Sequence, residues 1–248
     1  VFLDAELSVI QALAKYLKSE HRQKKVLSLN EKSKPTIISN ETKLRGNAVL
    51  LMLESPAFSF HNRASQQILN TVLSQPFFDT LRTKQQTSYL VQTWGMEKER
   101  ILQNFFIAYS NTHDARDILA RFELFIEDTV QKINSKTSEE SFNTVKASLV
   151  KELSTPPQNM GTMFETLNLF AFEYNDFNWL DKRLAALKQV TFPQWVDLAI
   201  QTLGKGNNKR IAILNNSLNP ESYHLRYLPL EGKIEDQGVY KSKEEAMR

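Results

Sequence analysis

With 248 residues, 41% hydrophobic and 24% charged, the chain has an ordinary globular composition and length for one large domain or two small ones. Its net charge of +3 is too small to argue for nucleic acid or an anionic membrane as partner, and the longest purely apolar run, Ala48 to Leu53, is far too short to span a bilayer. The absence of cysteine excludes a disulfide framework and any thiolate metal site within these residues, and leaves cytoplasmic and periplasmic locations both open.

Leu3, Leu7, Ile10, Ala14 and Leu17 have the spacing of an amphipathic helix. The basic run His21-Arg22-Gln23-Lys24-Lys25 then reads as its solvated carboxyl end, where cationic side chains suit the helix dipole. Because the chain opens on Val1 inside this helix, it reads as a piece of a longer protein. Thr36 to Ser39 suggests a short edge strand, and Ala48 to Leu53 a strand buried on both faces, stopped by Ser55-Pro56. A helix carrying Ala64, Ile68, Leu69 and Val72 is predicted to break or kink at Pro76. Ser88–Trp94 and Ile101–Tyr109 read as an antiparallel hairpin turning at Gly95-Met96-Glu97-Lys98. Its aromatics Trp94, Phe105 and Phe106 are expected to pack under helices rather than line a ligand pocket.

Helices dominate from there. Leu119, Phe122, Ile126, Val130 and Ile133 mark one; a capping box of Thr137 with Glu140 starts another, which Pro156-Pro157 ends. Phe164, Leu167, Phe170 and Tyr174 mark the next apolar stripe, and Leu180, Leu184 and Leu187 a further one. Thr191 with Gln194 caps the last helix, which Gly204 stops before a strand from Arg210 to Leu214. Beyond Asn219-Pro220 a polar tail follows, in which Tyr223, Leu225, Tyr227 and Leu228 are possible anchors.

The stretch from Phe77 to Gln92 says most about function. It reads as a helix end, a polar turn and the start of a strand, so that Arg82 and Tyr89 flank a helix-to-strand corner. A guanidinium and a phenolic O–H can both donate to a carbonyl oxygen that is gaining charge. No local base, nucleophile or metal ligand accompanies them, so the corner can assist chemistry without performing it. Elsewhere the four histidines, His21, His61, His113 and His224, lie too far apart for two ligands on one helix turn. Neither a Gly-x-Ser-x-Gly elbow nor a glycine-rich phosphate loop is present.

Leu81-Arg82-Thr83-Lys84-Gln85-Gln86-Thr87-Ser88-Tyr89 resembles the Leu-Arg-Thr-x-Glu-Gln-Leu-Gly-Tyr segment in the last domain of insulinase/pitrilysin zinc peptidases. The likeness runs over roughly residues 36 to 215, with three departures: Gln85 for Glu, and Thr87-Ser88 for Leu-Gly. Losing the glycine is expected to alter the backbone before Tyr89. The resemblance implies an α/β fold, a mainly antiparallel sheet covered by helices. It implies residues 1–26 as a helix ending the preceding domain, 27–215 as the carboxyl-terminal α/β domain, and 216–248 as tail. It also implies a non-catalytic wall of a peptide-degrading chamber, with peptide substrate and the amino-terminal catalytic half of the same parent chain as partners. Zinc would sit in that missing half, none in this chain, while Arg82 and Tyr89 would bind the substrate backbone and stabilise the oxyanion. The alternative is an insulinase-like structural or assembly subunit that has lost catalysis.

Overall fold

The computed structural model describes residue 29 and residues 34–218. The helix expected over residues 1–26 and the tail from residue 219 onward lie outside the described residues.

Strands β1 (Thr36–Thr42), β2 (Asn47–Glu54), β3 (Leu90–Lys98), β4 (Ile101–Ser110) and β5 (Arg210–Ser217) form one sheet in the order β1-β5-β2-β4-β3. Only β1 and β5 run parallel; the other neighbours are antiparallel. The apolar run Ala48 to Leu53 thus becomes the central strand, paired with β5 on one side and β4 on the other. Six α-helices follow among the described residues: α1 (Phe60–Phe78), α2 (Ala115–Lys136), α3 (Glu139–Ser154), α4 (Met160–Asn168), α5 (Trp179–Gln189) and α6 (Phe192–Leu203). Two of them, α1 and α4, pass directly into π-helical turns, Asp79–Lys84 and Leu169–Tyr174.

The core lies between the sheet and these helices. Val49, Leu51, Leu53, Phe106 and Ala212 meet Ile68, Leu69 and Phe77 of α1, Ile118 and Phe122 of α2, and Trp195 of α6. The Phe77 ring packs edge-on against Phe106, Phe122 and Phe125. Strand parity sends the alternate residues the other way. Leu50, Phe105, Leu90, Trp94 and Met96 therefore lie on the face away from this core, half-buried or exposed. Of the hairpin aromatics only Phe106 packs under helices. Phe105 and Trp94 stack on each other on the opposite face, centroids 5.1 Å apart, because consecutive strand residues point to opposite sides.

Four other expectations shift. The hairpin turns at Glu99-Arg100, both left-handed, and Gly95 lies within β3. Helix α1 runs through Pro76, which is exposed, because Leu73, Phe77 and Leu81 keep the apolar stripe buried on either side. The cap of α3 is Ser138, whose side chain accepts from Ser141 N–H, while Thr137 closes α2. The stripe on α4 has no buried residue: Phe164 and Leu167 are exposed. The Gln194 partner of Thr191 is as expected, its Oε1 accepting from both the Thr191 N–H (3.0 Å) and hydroxyl (2.9 Å).

Candidate functional site

Helix α1 does not stop where the sheet begins. Its last turn widens into the π-helical segment Asp79–Lys84, with Leu81 fully buried as the anchor. The turn is closed by backbone bonds from Gln85 N–H to Thr80 O (3.0 Å) and from Thr87 N–H to Leu81 O (2.9 Å). Gln86 takes the left-handed conformation (φ 51°), so the reversal sits there and not at position 88. Ser88 therefore stands in for the expected glycine without strain. It is buried, its hydroxyl bonds to Leu90 O (2.7 Å) and Tyr109 O, and it accepts from Tyr109 N–H (3.1 Å), tying the turn to β4.

With Leu81, Thr87 and Ser88 buried, the residues between and beside them are driven outward. Arg82 is exposed and Tyr89 is 82% exposed. They stand together: the Arg82 guanidinium carbon lies 4.8 Å from the Tyr89 ring centre and 5.0 Å from that of Phe78. Tyr89 does not fill a sheet face. The corner presents a cation and a phenol to solvent as one unit, at the end of edge strand β3. Such a pair can donate hydrogen bonds to a carbonyl oxygen or an oxyanion brought against it.

Behind the corner lies a buried polar network that sequence reasoning did not single out. Arg121 of α2 is 1% exposed; its Nε donates to Asp117 Oδ2 (3.0 Å) and its Nη1 to Gln85 Oε1 (3.1 Å). Ser110 Oγ donates to Thr87 O (2.5 Å) and lies 3.4 Å from His113 Nδ1. Burial, and next the Arg121 charge, hold the His113 imidazole below its ordinary range. The available signal was spacing. His113, just before the helix, and Asp117 and Arg121 on it recur every four residues, a polar line beside the face that buries Ile118, Phe122 and Phe125.

At the far end of β3 a second cluster joins α1, the hairpin and α5. Arg63 pairs with Glu97 (3.4 Å), and burial lowers the affinity of Arg63 for its proton while raising that of Glu97. Arg183 is pushed down to about 10 by burial and by neighbouring Arg63, and it donates to Gln67 (2.8 Å). Arg100 lies 4.1 Å over Trp179, itself stacked on Tyr174 with centroids 4.0 Å apart. This cluster ties elements together. Among the described residues no group of three or more His, Asp or Glu side chains is arranged to hold a metal. No described helix is long and apolar enough to cross a membrane.

Residues 68–167, which include the whole corner, match the family model described as PQQ synthase PqqF-like, C-terminal lobe domain 4. Insulin-degrading enzyme of Drosophila melanogaster is 24% identical over 170 residues, 67% of this chain and 17% of that protein. The crystal structure of pitrilysin superimposes with a TM-score of 0.64 at 18% identity, over 84% of this chain and 22% of pitrilysin. A peptidase M16 inactive domain from Pseudomonas fluorescens gives 0.58 at 12% identity, over 76% of this chain and 44% of that one. The chain thus spans about a fifth of the length of insulin-degrading enzyme and pitrilysin. The matched segment, the curated relative and the shared fold thus agree in what this chain is similar to, a carboxyl-terminal lobe domain of the insulinase/pitrilysin kind.

Proposed function

We propose that this domain forms one wall of the substrate chamber of a zinc metalloendopeptidase, and that Arg82 and Tyr89 contact the peptide there. The observation that carries the reading is the corner itself. Three buried residues, Leu81, Thr87 and Ser88, hold an exposed Arg–Tyr pair outward. A purely structural Arg and Tyr would bury their apolar parts instead. The catalytic zinc and its ligands belong to the amino-terminal half of the parent chain. When that half closes against this wall, the guanidinium and the phenol donate to the substrate backbone. They then stabilise the charge that develops on the carbonyl oxygen, with water excluded.

Replacing Tyr89 with Phe in the full-length parent protein tests this. Turnover is expected to fall by about 100-fold, with stability unchanged, because the exposed hydroxyl holds nothing else in place. Unaltered turnover would return Tyr89 to the surface. This chain alone is expected neither to hydrolyse peptide nor to take up stoichiometric zinc; zinc-dependent hydrolysis by it would falsify the division of labour. The second reading, an assembly subunit without catalysis, draws on the departures at Gln85, Thr87 and Ser88. It predicts a degraded His-x-x-Glu-His motif in the upstream sequence of the parent, whereas the peptidase reading predicts an intact one.

A further inference from the structure

We propose that Arg121 is a positioning residue which, through Gln85, sets the direction in which Arg82 and Tyr89 point; its consequence for turnover rests on the reading above. The Arg82–Tyr89 corner has no helix or strand of its own between Gln85 and Tyr89. Its shape depends on anchors at each end. At the strand end, Ser88 is held by β4 and Thr87 by Ser110. At the helix end, besides Leu81, the side-chain anchor is Gln85, whose Oε1 accepts from Arg121 Nη1 at 3.1 Å and lies 3.4 Å from Thr87 Oγ1. Gln85 itself is half-buried, but Arg121 is fully enclosed and already fixed by Asp117 one turn before it on α2. A guanidinium clamped on one edge by a carboxylate has its other edge fixed in direction, because the group is planar. The core helix α2 therefore dictates where the turn stands.

Two further details bear on this. Arg121 Nη2 and Asp117 Oδ1 have no hydrogen-bond partner among the described residues, so the guanidinium retains donor capacity beside the turn. A carboxylate at position 85 would accept from both terminal nitrogens, as a bidentate pair, where the amide now accepts one. Gln85→Glu should therefore hold the corner more tightly than the natural residue, and Gln85→Ala should release it while Arg121 keeps Asp117.

The experiment uses the full 248-residue chain and reads Arg82 by nuclear magnetic resonance. Its guanidinium lies over the Tyr89 and Phe78 rings, so its side-chain protons are expected to be shifted upfield by the ring currents. In Gln85→Ala most of that displacement is expected to vanish while the amide spectrum of β2 and β4 stays unchanged; in Gln85→Glu it is retained. Arg121→Lys serves as a second variant, keeping the charge and losing the planar fork, and should also release the shift. An undiminished Arg82 shift in Gln85→Ala overturns the proposal. In the parent enzyme, Gln85→Ala should lower kcat with little change in KM, and Gln85→Glu should restore it. Loss of the shift with turnover intact leaves the positioning role standing and removes the catalytic one from Arg82 and Tyr89.

Discussion

His113 shows how a single buried side chain links the corner to solution conditions. It is 2% exposed, between Ser110, Thr112 and the Asp117–Arg121 pair, and it favours the neutral imidazole. In the unfolded chain the same ring takes a proton near its ordinary value of 6.5. The native state therefore binds fewer protons in the window below that value, and stability falls as pH drops through it; above it the group contributes no slope. Urea unfolding at about pH 5.5 and about pH 7.5 should show the lower midpoint at the acid condition, with the difference reduced in His113→Asn. An equal difference in the variant would assign the slope to carboxylates. At this scale the placement of Arg82 and Tyr89 at a helix-to-strand corner was legible because their neighbours in sequence carry the motif. Arg121 was not, since its partner Gln85 lies 36 positions away and meets it only across the packed helix.

At the scale of elements, the β3–β4 hairpin is where local sequence misled. Gly95 looked like a turn residue, yet it sits in mid-strand where a Cβ would come within 2.5 Å of Asn70 Nδ2. That amide is committed to Asn104 Oδ1 (2.8 Å) and Gln66 O (2.9 Å), so the glycine serves close approach of α1 to the sheet. The actual turn places Glu99 and Arg100 at φ 52° and 64°, a conformation that costs an ordinary L-residue about 1 kcal/mol and asparagine much less. Arg100 is retained there by its contact with Trp179. Glu99→Asn is accordingly expected to raise stability by up to about 1 kcal/mol, read as a higher denaturant midpoint at constant slope. No gain would mean that the turn is held by its contacts alone. The helices fared better, since α2 and α6 bury most of the stripes their periodicity announced, while α5 buries Leu187 together with Trp179 and Ala186 and leaves Leu180 and Leu184 half-buried.

For the whole molecule, the informative surface is apolar. Met160, Phe164, Phe172 and Phe177 are 85%, 70%, 78% and 67% exposed along α4, its π-helical turn and the loop that follows. Apolar residues grouped this way favour association. The isolated chain should therefore show a sedimentation coefficient that rises with concentration. A double substitution, Phe164→Ser with Phe172→Ser, should flatten that rise; an unaltered rise would assign association to another surface, such as the Trp94–Phe105 side of the sheet. The same two surfaces explain what periodicity cannot deliver. A stripe of Phe and Leu says that one side of a helix seeks cover, and alternation says that a strand has two faces. Neither states whether the cover is present within the chain.

The sequence by itself determined the class of fold, the order of its elements and the position of the corner, because periodicity, breakers and a contiguous motif all act over a few residues. Tertiary structure alone decided which sheet face the helices cover, which glycine turns and which packs, and which buried guanidinium backs the corner. Those outcomes depend on contacts between segments tens of residues apart, whose free energy exists only once the chain has closed on itself.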